Sequence, residues 1–495
     1  MKREIENKSK KKVIIKRQDE CLRPSIPQFS VFEIIRATNG KLIAGSDDLS
    51  VSGVSTDTRT LSRGNLFIAI RGKNFDGHNF INQAIVKGAQ AIIVESDFRF
   101  DASQGASRIN KDNLSLKDCA SVSFIRTDDA IGALCNLAAF HRRRFKIPVV
   151  GITGSCGKTT TKEMVADVLS AKFNVLKNKG TFNNSIGVSH TLLGLNKEVD
   201  IALVEMGTSN FGEIKRLAEI VAPSIGIITN VGYSHLEFFK TIDSICNEKY
   251  DLVKNLKHPF IAILNGDDMR LRKKAKTSKD LNLFTFGLKK TCDFTATNIE
   301  CARGVLEFSL NKKHRFKINV LGRQNAYNVL AAISCGVIFG LNYKDIKNKL
   351  SAFIMPSTRI SLKKIRGYHV IDDTYNSNPL SLEYAIQTLS EFDTKGKKVF
   401  VMGDMLELGK RSVMLHREIA KKIIKSGIDT LITVGPLSHH AADAIKTKKR
   451  SNLKVYSCGC TLEARGILLN LLRDDDLVLV KGSRGMRMEE IIEDL

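Results

Sequence analysis

The sequence predicts an α/β protein of three domains: an N-terminal mixed α/β domain, a central domain built on a parallel sheet, and a C-terminal Rossmann-like α/β domain. Three observations carry that expectation. The chain has 495 residues, more than a single hydrophobic core of ordinary size accommodates. From Ile147 the apolar runs PVVGIT, IALVEMG, SIGIITNV and PFIAILNGDD alternate with helix-length segments, the pattern of a parallel sheet covered on both faces. From about Pro356 a second series begins, YHVIDDTY, KKVFVMGD, TLITVG, LKVYSC and DLVLVKGS, which reads as a doubly wound unit.

In chain order, residues 1–28 (MKREIENKSKKKVIIKRQDECLRPSIPQ) are charge-rich and end in two prolines, the composition of a basic, disordered arm. Residues 29–144 mix short β-like runs (NLFIAIRG, AQAIIVE, VSFIR) with helical stretches, and a polar interruption near Asp101–Lys117 reads as a surface loop. The central domain spans 145–355. Within it the alternating strands DFTATNIE, GVLEFSLN and HRFKINVLG form a β-rich appendage, followed by an Ala- and Val-rich helix over Asn325–Gly340. Residues 356–495 complete the C-terminal domain.

The apolar fraction of 43% and charged fraction of 26% are those of a globular protein. No stretch approaches the roughly 20 apolar residues of a spanning helix, and the Lys-rich N-terminus lacks the apolar region of a secretory signal. A cytoplasmic protein without stable membrane insertion is expected, and a monomer. Ten cysteines in so long a chain are not a disulfide framework, and Cys458 and Cys460 are spaced wrongly for C-x-x-C chemistry. The formal charge of +25 is spread along the whole chain, Trp is absent, and no zinc-finger, RNP-type or helix-turn-helix signature stands out. A nucleic-acid partner is therefore not expected. A basic P-loop ATPase that binds nucleic acid is the competing class, and it leaves several motifs below without explanation.

The segment PVVGITGSCGKTTTKEMVADVL reads as a buried strand, a glycine turn and a helix opening at Lys158. Glycines at 154 and 157 let backbone N–H groups surround phosphate oxygens, and the helix N-terminus adds its positive dipole end. Gly154, Ser155, Cys156, Gly157, Lys158, Thr159 and Thr160 are thus candidate ATP-binding residues. In such a loop the lysine reaches the β- and γ-phosphates and the following Thr hydroxyl serves Mg²⁺. Ile152 stands where the strict G-x-x-x-x-G-K-[ST] pattern has its first glycine, and a nucleotide loop alone leaves kinase, GTPase and ligase open. At the end of the IALVEMG strand, Glu205 is placed where a carboxylate can hold Mg²⁺ beside phosphate oxygens. Asn325 and Asn328 in GRQNAYNVLAA lie one helical turn apart, on one face.

The variant loop TGSCGKTT resembles that of the Mur ligase superfamily, and the resemblance extends from about Phe29 to the C-terminus. It implies a UDP-binding N-terminal domain, a central P-loop ATPase domain, a Rossmann-like ligase domain, and the cofactors ATP and Mg²⁺. It implies metal-site roles for Thr159, Glu205, for His235 in NVGYSHL, and for Lys249 in CNEKYDLV. The last matches a lysine carbamylated in these enzymes, with Asp251 where relatives usually have Glu. Asn325 and Asn328 match paired asparagines at the nucleotide, with Gln324 in place of a common His. Arg359 in MPSTRI, where relatives often carry Pro-Gly-Arg, and Asp373 in IDDTYNSNP match nucleotide-binding positions. Lys481, Ser483 and Arg484 in LVKGSRG match substrate or phosphate contacts.

The segment STDTRTLSRGNLFIAIRGKNFDGHNFINQAI resembles the UDP-sugar-binding domain of the superfamily, with Thr58, Arg59 and His78 as contacts to the UDP-muramoyl part. TFNNSIGVSHTLL, which holds Asn183 and Asn184, and VMGDMLELG are similar to segments of those members that add D-alanyl-D-alanine. The D-N-P-R motif of diaminopimelate-adding members is absent. The resemblance therefore implies UDP-N-acetylmuramoyl tripeptide and D-alanyl-D-alanine as partners, joined through an acyl phosphate, with Lys158, Lys249 and His235 at the reacting centre. Addition of the third amino acid is the alternative within the superfamily.

Overall fold

The computed structural model describes residues 26–72, 74–98, 122–278, 280–356, 359–448, 452–493 and 495. Residues 1–25 of the expected arm, the expected loop near 101–117, and Ser357 and Thr358 of MPSTRI lie outside the described residues. The arm's last residue is already in a strand: Gln28–Ser30 pairs antiparallel with Ser50–Ser52, with Gln28 opposite Ser52. Ser30 then caps the helix Val31–Thr38 through a capping box with Glu33.

The N-terminal sheet has five strands in the order Lys41–Ala44, Ser123–Thr127, Ala91–Glu95, Leu66–Ile68 and Val54–Ser55. Only the first pairing is antiparallel. Its last helix, Ala130–Arg143, fastens this sheet to the central domain. The buried Arg142 guanidinium donates to the carbonyls of Val221 (3.1 Å), Phe145 (2.6 Å) and Ile147 (3.2 Å). Next to it His141 Nε2 donates to the Leu195 carbonyl at 3.0 Å.

The central sheet has nine strands. Its order is His314–Ile318, Val305–Leu310, Phe294–Ala302, Asn282–Gly287, Ile261–Asn265, Ile225–Ile228, Val149–Thr153, Ile201–Glu205 and Val175–Lys177. The expected β-rich appendage is continuous with the parallel sheet, because Phe294–Ala302 pairs parallel with Asn282–Gly287 before the ladder turns antiparallel. Two faces bury two cores. One gathers residues of all three domains. The other lies under Lys158–Leu169 and Asn325–Ile338, which pack on each other.

The C-terminal sheet orders Ser361–Ile365, Tyr368–Asp373, Leu477–Lys481, Lys398–Gly403, Thr430–Val434 and Lys454–Cys458. Five strands are parallel and the first is an antiparallel edge. Among the described residues no helix is long and apolar enough to cross a membrane.

Candidate active site

Val149–Thr153 lies between Ile201–Glu205 and Ile225–Ile228. The chain first fills one side of it and then the other, so the loop at its C-terminal end sits at a topological switch point, where open α/β sheets bind ligands. That loop is too tight for side chains at two glycines. A Cβ on Gly154 would lie 1.9 Å from Thr229 Oγ1, and one on Gly157, at φ +79°, would lie 2.5 Å from Asn328 Oδ1. Backbone hydrogen bonding in the helix begins with Thr161 N–H to Gly157 O. The N–H groups of Lys158, Thr159 and Thr160 therefore lack intrahelical acceptors and are free for an anion.

Asn230, at the end of the next strand, shapes the loop. Its side chain accepts from Cys156 N–H (2.9 Å) and donates to the Cys156 carbonyl (3.1 Å), while its own carbonyl accepts from Ser155 N–H (3.1 Å). The Ser155 hydroxyl is committed to the fold as well. It donates to Gly232 O and accepts from Gly232 N–H, both at 2.9 Å, and from Ser234 Oγ at 3.1 Å. Lys158 Nζ donates to the Gly154 carbonyl at 2.9 Å, and burial pulls its pKa down against the raising effect of Glu205.

Glu205 is fully buried. Its Oε1 accepts from Asn183 Nδ2 at 2.8 Å, and its backbone is clamped by Asn178, which accepts from Glu205 N–H and donates to Glu205 O, both at 3.0 Å. Among the described residues its Oε2 has no hydrogen-bond partner, and Lys162 Nζ approaches it to 3.8 Å. An orphaned, buried carboxylate oxygen beside a phosphate loop fits a divalent cation. Among the described residues no group of three or more His, Cys, Asp or Glu is arranged as a metal cluster. A cation here takes its remaining ligands from hydroxyl groups, phosphate and water, the habit of Mg²⁺.

Lys249 is buried on the helix Ile242–Lys254. Desolvation, followed by the charge of Lys158, pushes its pKa down to about 7. Its neighbour Glu248 is buried too, and accepts from Gly212 N–H (2.7 Å) and Ile214 N–H (2.8 Å) at the start of the helix Glu213–Val221. That is a favourable seat for a carboxylate.

Asn325 and Asn328 form a buried chain. Asn328 Nδ2 donates to Asn325 Oδ1 (2.8 Å), Asn325 Nδ2 donates to Leu321 O (2.8 Å), and Thr161 donates to Asn328 Oδ1 (3.1 Å). The pair thus ties its helix to the phosphate-loop helix. Capping is not the role of Asn325, since Gln324 occupies the N-cap position.

The C-terminal domain lies against this loop. Arg359 donates to Thr159 Oγ1 and stacks over Tyr375 at 4.5 Å. Lys481 Nζ donates to Asp373 Oδ2 (2.7 Å) and Asn376 O (2.8 Å). These residues end neighbouring strands at the same register. Burial raises the Asp373 pKa, and Lys481 opposes that shift. Cys156 Sγ donates to Asn378 Oδ1 at 3.3 Å, and burial pushes the thiol up, so it stays neutral near phosphate. His235 Nδ1 lies 2.5 Å from Glu407 Oε2 of the C-terminal domain.

A cavity of about 300 Å³ gathers most of the expected positions: Ser155 to Lys158, Thr160, Asn183, Glu205, His235, Asn325, Asn328, Arg359, Asp373 and Lys481. Ser483 and Arg484 line a neighbouring cavity of about 170 Å³ that shares Ser155, Lys158 and His235. Within it the Ser483 hydroxyl accepts from Leu406 N–H at 2.8 Å, and Arg484 pairs with Glu489 at 3.0 Å.

Gly154, Thr159 and Lys249 line neither cavity, and the remaining positions stand apart from both. Asn184 caps the helix Ser185–Leu193. Thr58 donates to Gln83 Oε1 at 2.6 Å, and the exposed Arg59 pairs with Asp57 at 2.7 Å. Both ring nitrogens of His78 are engaged within the N-terminal domain, Nδ1 with Asp76 (2.6 Å) and Nε2 accepting from Glu95 N–H (3.1 Å). His78 thus helps hold its own loop together.

Comparison with known proteins decides the family. The Mur ligase middle domain matches residues 152–336, the Mur ligase glutamate ligase domain 358–484, and the Mur ligase family catalytic domain 50–142. A Bacillus subtilis (strain 168) protein named UDP-N-acetylmuramoyl-tripeptide--D-alanyl-D-alanine ligase is 33% identical over 452 residues, 90% of this chain and 93% of that one. This chain belongs to the Mur ligase family. It is an ATP-dependent peptide ligase. The ligase is also 33% identical to the Escherichia coli (strain K12) protein of the same name, over 92% of this chain and 96% of that one. MurF from Acinetobacter baumannii superposes with a TM-score of 0.84 at 28% identity, covering 95% and 99% of the two chains. MurF ligase from Thermotoga maritima, solved in complex with ADP, gives 0.75 at 29% identity over 89% and 96%.

Among the contributors to the ligase site that escaped sequence reasoning are Asn178, Lys162 and Glu407. Asn178 and Lys162 act through backbone groups, Lys162 Nζ donating to Asn178 O (2.8 Å) and Gly180 O (2.6 Å). Nothing in their neighbourhood marks either as buried. Glu407 lies in VMGDMLELG, a segment singled out without a role.

Proposed function

We propose that this chain adds D-alanyl-D-alanine to UDP-N-acetylmuramoyl tripeptide, using ATP, in the synthesis of peptidoglycan precursors, as a monomer in the cytoplasm. The observation that carries the reading is one cavity lined from both sides. The phosphate loop and Glu205 of the central domain face Arg359, Asp373 and Lys481 of the C-terminal domain, in a chain a third identical to relatives named for this reaction.

In this reading the helix N-terminus and Lys158 hold the nucleotide phosphates, and the tripeptide carboxylate attacks the γ-phosphorus to give an acyl phosphate and ADP. The dipeptide amine then attacks the acyl carbon, and phosphate leaves. Arg359, supplied by the C-terminal domain, neutralises phosphoryl charge only when that domain is closed, as an arginine finger does. Closure also excludes water from the acyl phosphate. Mg²⁺ would be held by Glu205 and the Thr159 hydroxyl, with His235 and a carbamylated Lys249 near it, and would supply charge neutralisation and phosphate orientation. Asn183 keeps one Glu205 oxygen occupied, leaving the other for the cation. Thr58, Arg59, His78 and Asn184 remain proposed for the muramoyl-peptide side.

The test is ADP release measured with UDP-N-acetylmuramoyl tripeptide, ATP and Mg²⁺, and each candidate acceptor in turn. D-alanyl-D-alanine is expected to support release. Equal release without it, or faster release with diaminopimelate or lysine, overturns the assignment.

A further inference from the structure

The loop MGDMLEL that follows the strand Lys398–Gly403 is fixed residue by residue. The Asp404 carboxylate accepts from Ser438 N–H at 2.6 Å and Leu437 N–H at 3.2 Å. Met405 N–H donates to Nε2 of the buried His416 at 3.0 Å, and Leu406 N–H donates to Ser483 Oγ at 2.8 Å. The residue this rigid loop offers to the central domain is Glu407, at φ 60°. Its carboxylate meets His235 Nδ1 at 2.5 Å, and its carbonyl accepts from Glu237 N–H at 2.9 Å. His235 is itself at φ 52°. Two non-glycine residues, one from each domain, thus occupy the left-handed region at a single contact, and such strain persists only where the surroundings enforce it.

The chemistry of histidine gives this contact a direction. The 2.5 Å approach is an ion-pair contact, off the line of an Nδ1–H hydrogen bond. A ring whose Nδ1 faces a carboxylate turns Nε2 to its other side, the arrangement by which second carboxylates orient cation-binding histidines. His235 lines the cavity that holds Glu205 and Lys158. We propose that Glu407 is a positioning residue that couples docking of the C-terminal domain to assembly of the site. It sets the His235 ring with Nε2 toward the cavity, and does so only while the C-terminal domain is docked, because Glu407 arrives with that domain. His235 is then oriented for a cation only in the closed enzyme, so the site is incomplete whenever the lid is open. The activity part of this inference rests on the proposed function; the docking part does not.

The test combines amide exchange with kinetics on the full chain. The Glu237 amide reports docking, since its acceptor is the backbone carbonyl of Glu407, which side-chain substitution leaves in place. With a non-hydrolysable ATP analogue and Mg²⁺, the wild type is expected to protect the 236–240 region. Glu407→Ala and Glu407→Gln are expected to lose that protection, and Glu407→Asp to keep part of it. Turnover should fall about 10- to 100-fold in the first two, through kcat rather than the KM for ATP. Exchange elsewhere and the melting temperature show that the variants are folded, and partial recovery in Glu407→Asp guards against a folding artefact. Unchanged protection in Glu407→Ala overturns the proposal, as does near-normal turnover. A raised KM for the dipeptide with protection intact also overturns it, because Glu407 would then bind the incoming amine. If the wild type does not use the dipeptide at all, the substrate assignment fails while the exchange comparison still decides the docking role.

Discussion

Lys249 shows how burial changes what a side chain can do. Its pKa of about 7 leaves much of the amine unprotonated at neutral pH, and only the neutral amine adds to CO₂. In the proposed reading, addition of CO₂ with loss of one proton would give a carbamate and put an anionic oxygen ligand where the amine stood. Lys249→Ala is therefore expected to be nearly inactive, with partial recovery in acetate or formate and none in chloride at equal ionic strength. Near-normal turnover at saturating ATP and Mg²⁺ would rule the carbamate out. In the unmodified protein the depressed pKa has a stability consequence. Between about 7 and the ordinary value of 10.5 the unfolded chain binds the proton and the folded one does not, so stability rises with pH across that window. Lys249→Met should flatten the rise, read from melting temperatures along the pH series. Lys158→Ala should abolish turnover while the chain stays folded, because it removes a phosphate contact and no core packing. Residues at strand ends and in the glycine turn were legible because their chemistry and position coincide, as at Glu205 and Lys158. Lys162 was not: inside TTTKEM it looks like any helix-surface lysine, and only the fold shows that its ammonium is enclosed.

The phosphate loop depends on elements far from it in sequence. Asn230 bonds both backbone groups of Cys156 with a single amide, so Asn230→Ala leaves the part-buried Cys156 N–H unmatched, while the carbonyl keeps the Thr229 hydroxyl as a donor. A loss of about 1–3 kcal/mol is expected, with weaker ATP binding, measurable by denaturant unfolding and nucleotide titration. Gly157→Ala forces a side chain onto φ +79° and against Asn328. It should weaken ATP binding more than it lowers stability, and unchanged nucleotide affinity would contradict the loop geometry. The long apolar strands were plain in the sequence because short apolar runs such as IALVE, bounded by turns and alternating with helix-length segments, fit a parallel sheet covered on both faces. The strands Val175–Lys177, Asn282–Gly287 and Ser361–Ile365 were not. The first is three residues long, the second is only half-buried over four of its six residues, and the third is a lysine-bearing edge. Edges carry weaker patterns because water covers one side of them.

Across the whole molecule the two domain junctions are built differently. The N-terminal domain is joined to the central one by Arg142, whose guanidinium makes a buried contact to the Val221 carbonyl and holds the connecting chain through Phe145 O and Ile147 O. The C-terminal domain shares apolar core with the other two and meets the phosphate loop through Arg359 to Thr159 and Cys156 to Asn378, with Glu407 against His235 beside it. Arg142→Met is accordingly expected to cost about 3 kcal/mol and to expose the 142–148 junction to proteolysis, with ADP release per folded molecule unchanged. The three-domain plan was legible because each sheet announces itself by its own run of strands. The closed arrangement was not, since contacts between domains leave no periodicity in either partner. The central claim is that the enzyme joins a dipeptide to a UDP-linked tripeptide. Mass spectrometry of the nucleotide product after incubation with ATP, Mg²⁺, UDP-N-acetylmuramoyl tripeptide and D-alanyl-D-alanine tests it most directly. A product heavier than the tripeptide substrate by one D-alanyl-D-alanine less one water is the predicted result. Unaltered tripeptide alongside ADP, or a product extended by a single amino acid when the acceptors are offered together, would contradict it.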